Sequence, residues 1–315
     1  MNHPIDAHGF LQELGGGATL QIPLPGGCHV IDGQSLNALN AAIAARRPLL
    51  VRGEPGTGKS QLARAAAALL GRALVSHTVD ARTDTHDLLY TVDHVARLAE
   101  AQLLGALRTK RRTAQERLAL KNFTRPGPLW WAFDWAGAKK HASEPPHWAP
   151  GAWAPEHGCV VLIDEIDKAD AMVPNGLLDA LGHESFDVHG CNQTVAMNST
   201  KPPLVIITTN EERSLPDAFL RRCMVLQLEF PDAEKLVARG QAHFPACDLE
   251  VLRRAATQLT EDRKTCKRLE LSKPGTAEYI DLLRVLTTMR PGDTPAQVKL
   301  LDTMQQYALS KHPKP

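Results

Sequence analysis

The sequence predicts an α/β chain: a parallel sheet flanked by helices, with a glycine-rich loop leaving one strand, followed by a small all-helical domain. Three observations predict it. Pro48–Arg52 is a short apolar run, and it passes through Gly53-Glu54-Pro55-Gly56-Thr57-Gly58-Lys59-Ser60 into Gln61–Leu70, which is rich in strong helix formers. Cys159–Ile163 is apolar without alternation, as a parallel strand covered on both faces requires, and it ends in Asp164-Glu165. Beyond Phe230 strand-like runs cease and only helical patterns follow.

Composition sets few limits. At 315 residues the chain can build one large core and a smaller domain. Its net charge of +1 and ordinary apolar content give no global sign of a nucleic-acid or membrane partner. No apolar run approaches the roughly 20 residues that span a bilayer. Met1–Asp6 lacks a signal-peptide pattern. The six cysteines are scattered with no CxxC pair, so buried free thiols in a reducing cytoplasm are the economical reading. His183, His189 and Cys191 lie close together, but their spacing is a weak metal signal.

In chain order, residues 1 to about 35 are rich in Gly and Pro and read as a tail and loop leading to a short strand, Cys28-His29-Val30-Ile31. Asp32–Ala45 carries Leu36, Leu39, Ala42 and Ile43 at helical spacing. The eight-residue loop follows. Its glycines permit unusual dihedrals and close approach of backbone to ligand, and its N–H groups with the helix N-terminus form an anion site. Lys59 is placed to reach β/γ-phosphates and the Ser60 hydroxyl to bind Mg²⁺. Glu54, Pro55, Gly56, Thr57, Gly58 and Gln61, with Val30 and Ile31 of the preceding strand, complete the candidate nucleotide-binding residues.

Ala73–Val79 is a second strand, and Val92–Leu104 an amphipathic helix. A basic stretch comes next, Arg108-Thr109-Lys110-Arg111-Arg112 with Arg117, Lys121 and Arg125, opposed in sequence only by Glu116. It reads as a site for an acidic partner or nucleic-acid backbone, or as a solvated helix face, the simpler of the two. All five tryptophans fall between residues 130 and 153. Trp130, Trp131 and Trp135 share a helix-like segment and read as core, whereas Trp148 and Trp153 sit in a Pro-rich loop suited to a subunit or client contact.

At the end of the Cys159–Ile163 strand, Asp164 would hold Mg²⁺ and Glu165 would polarise an attacking water. Asp170–Leu181 is helical, and Ser185–His189 pairs with Gln193–Val195 as a hairpin. Leu204–Asn210 is another buried strand, ending in an amide. Leu215–Cys223 is a short helix with Arg221 and Arg222 at its end, and Met224–Leu228 a last strand. Helices are expected from Asp232, over Leu249–Leu259, Tyr279–Leu286 and about Pro295–Ser310, before a disordered-looking Lys311–Pro315.

Four ordered motifs carry a resemblance: Gly53–Ser60, Leu162-Ile163-Asp164-Glu165-Ile166-Asp167-Lys168-Ala169, Thr208-Thr209-Asn210 and Leu215-Pro216-Asp217-Ala218-Phe219-Leu220-Arg221-Arg222. Together they resemble the AAA+ ATPases, and within them the MoxR-like group, over about residues 28 to 290. The resemblance implies an AAA+ module. A P-loop αβα domain would span 1–230, with an insertion at about 80–155 where client specificity would reside, and a helical lid would span 231–315. It implies ATP and Mg²⁺ as ligands, a ring or spiral homo-oligomer (a hexamer), and remodelling of a partner protein, often one with a von Willebrand A domain. Asn210 would orient the attacking water. Arg222 would enter the neighbouring subunit's site as arginine finger, with Arg221 as the alternative because the motif ends Arg-Arg-Cys. The lid departs from the family: Lys273 stands where an arginine is expected and would take its place as a nucleotide contact, though an ammonium cannot copy a bidentate guanidinium. Two other readings stay open: a nucleotide-gated switch or scaffold in a defence assembly, and a nucleic-acid motor resting on the Arg108–Arg125 stretch.

Overall fold

The computed structural model describes residues 10–12, 14, 18–142, 147–148, 157–197 and 202–308. The chain opens on a hairpin, β1 (Thr19–Leu24) and β2 (Gly27–Asp32), followed by α1 (Gly33–Ala45), β3 (Leu49–Arg52), α2 (Lys59–Leu70) and β4 (Ala73–Thr78). The segment after β4 holds α3 (Thr85–Leu89), β5 (Tyr90–Val92), α4 (His94–Ala106), α5 (Arg111–Arg117), β6 (Thr124–Pro126), α6 (Pro128–Phe133), α7 (Trp135–Ala138) and β7 (His147–Trp148). Then come β8 (Cys159–Asp164), α8 (Met172–His183), β9 (Ser185–Val188), β10 (Gln193–Ala196), β11 (Leu204–Thr209), α9 (Asp217–Arg222) and β12 (Met224–Gln227). Four helices complete the described residues: α10 (Ala233–His243), α11 (Leu249–Arg268), α12 (Thr276–Met289) and α13 (Thr294–Ala308).

The main sheet has the order β12-β3-β11-β8-β4-β7. β8 lies parallel to both β4 and β11, and β7 closes the edge antiparallel to β4. Every residue of β11 is buried, and β8 is buried up to Asp164, which explains their unbroken apolar sequences.

Two compact units divide the chain, and they do not follow chain order. One comprises residues 1–12, 38–50 and 66–225, the other 13–37, 51–65 and 226–315. Beyond the first, between residues 12 and 13, the dividing points fall inside α1, β3, α2 and β12.

In the first unit, Val161, Ile163, Val205 and Ile207 share a core with Trp130, Trp131 and Phe133 of α6. Trp130 and Trp131 are fully buried, as the sequence indicated, and Trp135 packs partly buried against the same core. These tryptophans do not share one helix: Asp134 ends α6 and caps α7, its carboxylate accepting from the Gly137 N–H. Residues 143–146 and 149–156 lie outside the described residues, so the interface role expected of Trp153 falls there, as does the side chain of Trp148.

In the second unit, α10 to α13 pack around Leu236, Val251, Leu252, Tyr279, Leu282 and Leu286. Two elements were not legible. Residues 19–32 form a six-residue-per-strand hairpin where the sequence suggests mostly loop; Pro25 and Gly26, the latter at φ +85, supply the turn, and alternation is obscured by Pro23. α11 runs past Leu259 to Arg268 because Glu, Lys and Arg sustain a helix, with Cys266 alone among apolar residues there and no periodicity to announce it.

Replacing Trp131, fully buried beside the sheet, with Ala should destabilise the fold by about 3–5 kcal/mol. Denaturant unfolding monitored by circular dichroism would show this as a lowered midpoint; an unchanged midpoint would mean that α6 is not part of the core.

Candidate functional site

In the second unit the glycine loop joins β3 to α2. Gly53, Gly56 and Gly58 have φ of +151, +76 and +101, the region where a side chain is strained. At Gly53 a Cβ would also fall 2.5 Å from the Leu228 carbonyl oxygen. The loop closes on its own lysine. Lys59 is 6% exposed, and its Nζ donates to the Gly53 and Glu54 carbonyls at 2.7 and 3.0 Å. Thr57, also buried, donates its hydroxyl to the Glu54 carbonyl at 2.9 Å. Ser60 follows in the first turn of α2, half-buried, and Gln61 is exposed. Left-handed glycines that aim consecutive amides, a buried ammonium and a helix N-terminus fit a phosphate. The Ser60 hydroxyl is a hard oxygen donor of the kind Mg²⁺ accepts.

The helical part of this unit sits directly on the loop. The Thr276 N–H donates to the Gly56 carbonyl at 3.1 Å, and Gly56 and Gly275 approach so closely that a Cβ on either would crowd the other's Cα at about 3 Å. Glu54 is gripped by two cations, Lys273 Nζ at 2.6 Å and the Arg263 guanidinium, which also donates to the Pro274 carbonyl at 2.6 Å. The Lys273 hydrogen bond, aided by Arg263, holds the Glu54 carboxyl below the usual range. Lys273, a candidate nucleotide contact in the sequence, is thus committed to the loop's own glutamate.

β2 lies alongside. Ile31 is buried, Val30 half-buried, and the His29 ring lies where a Cβ on Gly58 would meet it at 3.3 Å. Burial, then the charge of Arg239, pushes the His29 pKa down to about 4.

In the first unit, the acidic cluster is assembled from three strand ends. β4 meets β8 where the Val79 N–H donates to the Asp164 carbonyl. Thr208 at the end of β11 donates its hydroxyl to the Asp164 carboxylate at 2.5 Å and accepts the Glu165 N–H at 2.9 Å. Glu165 sits at φ +62, an unusual conformation for a glutamate, with its carboxylate between the Asn210 amide at 3.2 Å and Lys168 Nζ at 2.5 Å. Asp167, buried, accepts the backbone N–H groups of Asn210 and Glu212 and so fixes the segment after β11. The sequence reading assigned Asp164, Glu165 and Asn210; it assigned no role to Thr208, Asp167 or Lys168. Only the neighbouring motif residues could have signalled them.

Arg221 and Arg222 are exposed in the last turn of α9. The Arg221 carbonyl accepts from Arg47 at 3.4 Å.

For the basic stretch, the expectation that Glu116 alone opposes it is corrected. Arg112 pairs with Glu116, but Arg117 pairs with Glu100 at 2.6 Å and Arg125 with Asp93 at 3.6 Å, acids brought in by the antiparallel return of the chain. Arg108, Lys110, Arg111 and Lys121 remain exposed.

A model of the AAA domain (dynein-related subfamily) matches residues 48–223, from the start of the loop's strand to the arginine pair. The chain belongs to this AAA family. The match indicates a P-loop ATPase domain. Among solved structures, the Thermotoga maritima RuvB P216G mutant is similar at 16% identity with a TM-score of 0.46, over 86% of this chain and 68% of that one. No curated protein matches the chain. Among the described residues, no helix is long and apolar enough to cross a membrane.

A histidine with proton affinity lowered by folding leaves the unfolded chain the better proton binder. His29 should therefore cost stability as pH falls from about 6.5 towards 4, with none of that cost above this window. Urea midpoints of wild type and His29→Asn across pH 4 to 7 should converge or cross as the medium acidifies. Parallel profiles would show that His29 is solvated.

Proposed function

We propose that this AAA domain hydrolyses ATP with Mg²⁺ as a MoxR-like remodelling ATPase of the cytoplasm, working as a homo-oligomeric ring or spiral, a hexamer, on a client or adaptor protein. The observation that carries the reading is the Asp164–Thr208–Glu165–Asn210 cluster, which unites residues 43 to 45 positions apart at the strand ends of a chain that also has a complete phosphate loop. A purely structural strand end has no need of two carboxylates tied to one hydroxyl and one amide.

The roles follow from chemistry. Backbone amides of Gly56, Thr57 and Gly58 with Lys59 would hold the phosphates, while Ser60 and Asp164 supply hard oxygen ligands. Mg²⁺, when bound, neutralises charge on the phosphates. Glu165 would accept a proton from the attacking water, and Asn210, already hydrogen-bonded to Glu165, would orient it. Arg222, exposed at the end of α9, suits a finger offered to a neighbouring subunit, with Arg221 as alternative; a cation beside the transferring group stabilises its charge. As working parts we retain a large domain over 1–230 and a lid over 231–315. A client with a von Willebrand A domain fits the MoxR resemblance.

One observation favours a second reading, the nucleotide-gated switch or scaffold. Lys273, the candidate lid cation, is bound to Glu54, and Glu165 is held by Lys168, an arrangement suited to slow turnover. The nucleic-acid motor loses support, because Arg112, Arg117 and Arg125 have acidic partners.

ATP turnover per subunit, measured over a wide range of protein concentration, tests the reading. It should rise with concentration, and Glu165→Gln and Arg222→Ala should each lose about 100-fold or more. Flat turnover with a normal Arg222→Ala variant would remove the finger assignment. ATP binding without turnover would make the switch the leading reading.

A further inference from the structure

We propose that Arg239, carried by α10, is a phosphate-binding residue of this chain, its guanidinium helping to hold the anionic end of the nucleotide beside Thr57. The inference rests on the nucleotide-binding reading above and adds a residue that the motifs do not contain.

Three cations from the helical part reach the loop. Two are already spent: Lys273 and Arg263 share the Glu54 carboxylate, and the Arg263 guanidinium carbon also stands over the Phe230 ring, 3.4 Å from its centroid. Arg239 differs. Among the described residues its Nη1 makes two long hydrogen bonds, to the Thr57 carbonyl at 3.5 Å and the Thr276 hydroxyl at 3.4 Å, both neutral acceptors. Among the described residues it has no ion pair. Yet it is half-buried, and burial lowers its proton affinity.

Its neighbours compensate for that burial only in part. Asp32 is the acid that acts on it, from the end of β2, and that carboxylate accepts the Ser35 N–H at 2.8 Å. His29 of β2 and His243 of α10 are both held towards their neutral forms, first by burial, with the Arg239 charge contributing. The surroundings thus tolerate one cation and add no second.

A half-buried guanidinium with no ion pair among the described residues, helped by Asp32 only from beyond ion-pair distance, carries a desolvation cost that an arriving anion would offset. Arg239 touches the phosphate loop at Thr57, where the backbone is already shaped for an anion. A planar fork with five donors, most of them without a partner among the described residues, matches a phosphate's oxygens. A tie between Thr57 and Thr276 would be the structural alternative, but two contacts at the limit of hydrogen-bonding distance are a poor use of such a group.

Calorimetric titration with ATP, ADP and adenosine, together with thermal unfolding with and without ATP, tests this on wild type, Arg239→Met and Arg239→Lys. The Met variant should bind ATP and ADP about ten- to a hundred-fold more weakly and adenosine as wild type does. Its melting temperature without ligand should not fall, while the rise produced by ATP should shrink; the Lys variant should recover part of both. Wild-type affinity in the Met variant, or equal weakening of all three ligands with a lowered ligand-free melting temperature, would overturn the assignment. Should Arg239→Met not fold, Arg239→Gln takes its place with the same expected outcomes. If wild type binds none of the three, the nucleotide reading itself falls, and this one with it.

Discussion

A buried ammonium organises the second unit. Lys59 is nearly inaccessible, so its charge must be met by oxygens within the fold. Two come from its own loop, the carbonyls of Gly53 and Glu54. Turning those carbonyls inward curls the backbone through left-handed conformations at Gly53, Gly56 and Gly58, which only glycine adopts without strain. Bare glycines in turn let other backbone approach: Leu228 at Gly53, Gly275 at Gly56. The loop's chemistry and its packing therefore have one cause. Glu54, inside the same loop, binds Arg263 and Lys273, so the helical part is tied to the loop by charge as well as by contact.

The acidic cluster of the first unit obeys a different constraint. Asp164 and Glu165 are adjacent carboxylates at the mouth of an apolar strand, and their repulsion has to be managed. Thr208 does this by donating to one residue's carboxylate and accepting the other's N–H. Lys168, three residues on, neutralises Glu165 directly. Asp167 anchors the Asn210 backbone, and the Asn210 amide is thereby aimed at Glu165. The result is a carboxylate held at both oxygens, which is pre-organised and restrained at once.

The 80–155 segment shows how far sequence neighbours mislead about charge. Read linearly, seven basic residues face one glutamate. In the fold, β5 and β6 pair antiparallel and bring Asp93, just past β5, to 3.6 Å from Arg125, while α4 offers Glu100 to Arg117. The same segment sends Trp130 and Trp131 into the sheet's own core, so it is built into the domain rather than appended to it.

The sequence alone determined the α/β class, the glycine-rich loop, the places of the buried strands along the chain and the helical end, because these rest on local periodicity and on a motif whose residue types admit little substitution. It also located Asp164, Glu165 and Asn210, since each follows a recognisable apolar run. The N-terminal hairpin escaped it, because prolines and glycines disguise alternation, and so did the polar half of α11. What only the tertiary structure decided is who meets whom across long separations: Thr208 with Asp164, Lys273 and Arg263 with Glu54, Arg239 with Thr57. Those contacts join positions 44 to 219 residues apart. No local pattern encodes them, because a cation or a hydroxyl on a helix or strand reads the same whether it faces water or a phosphate loop.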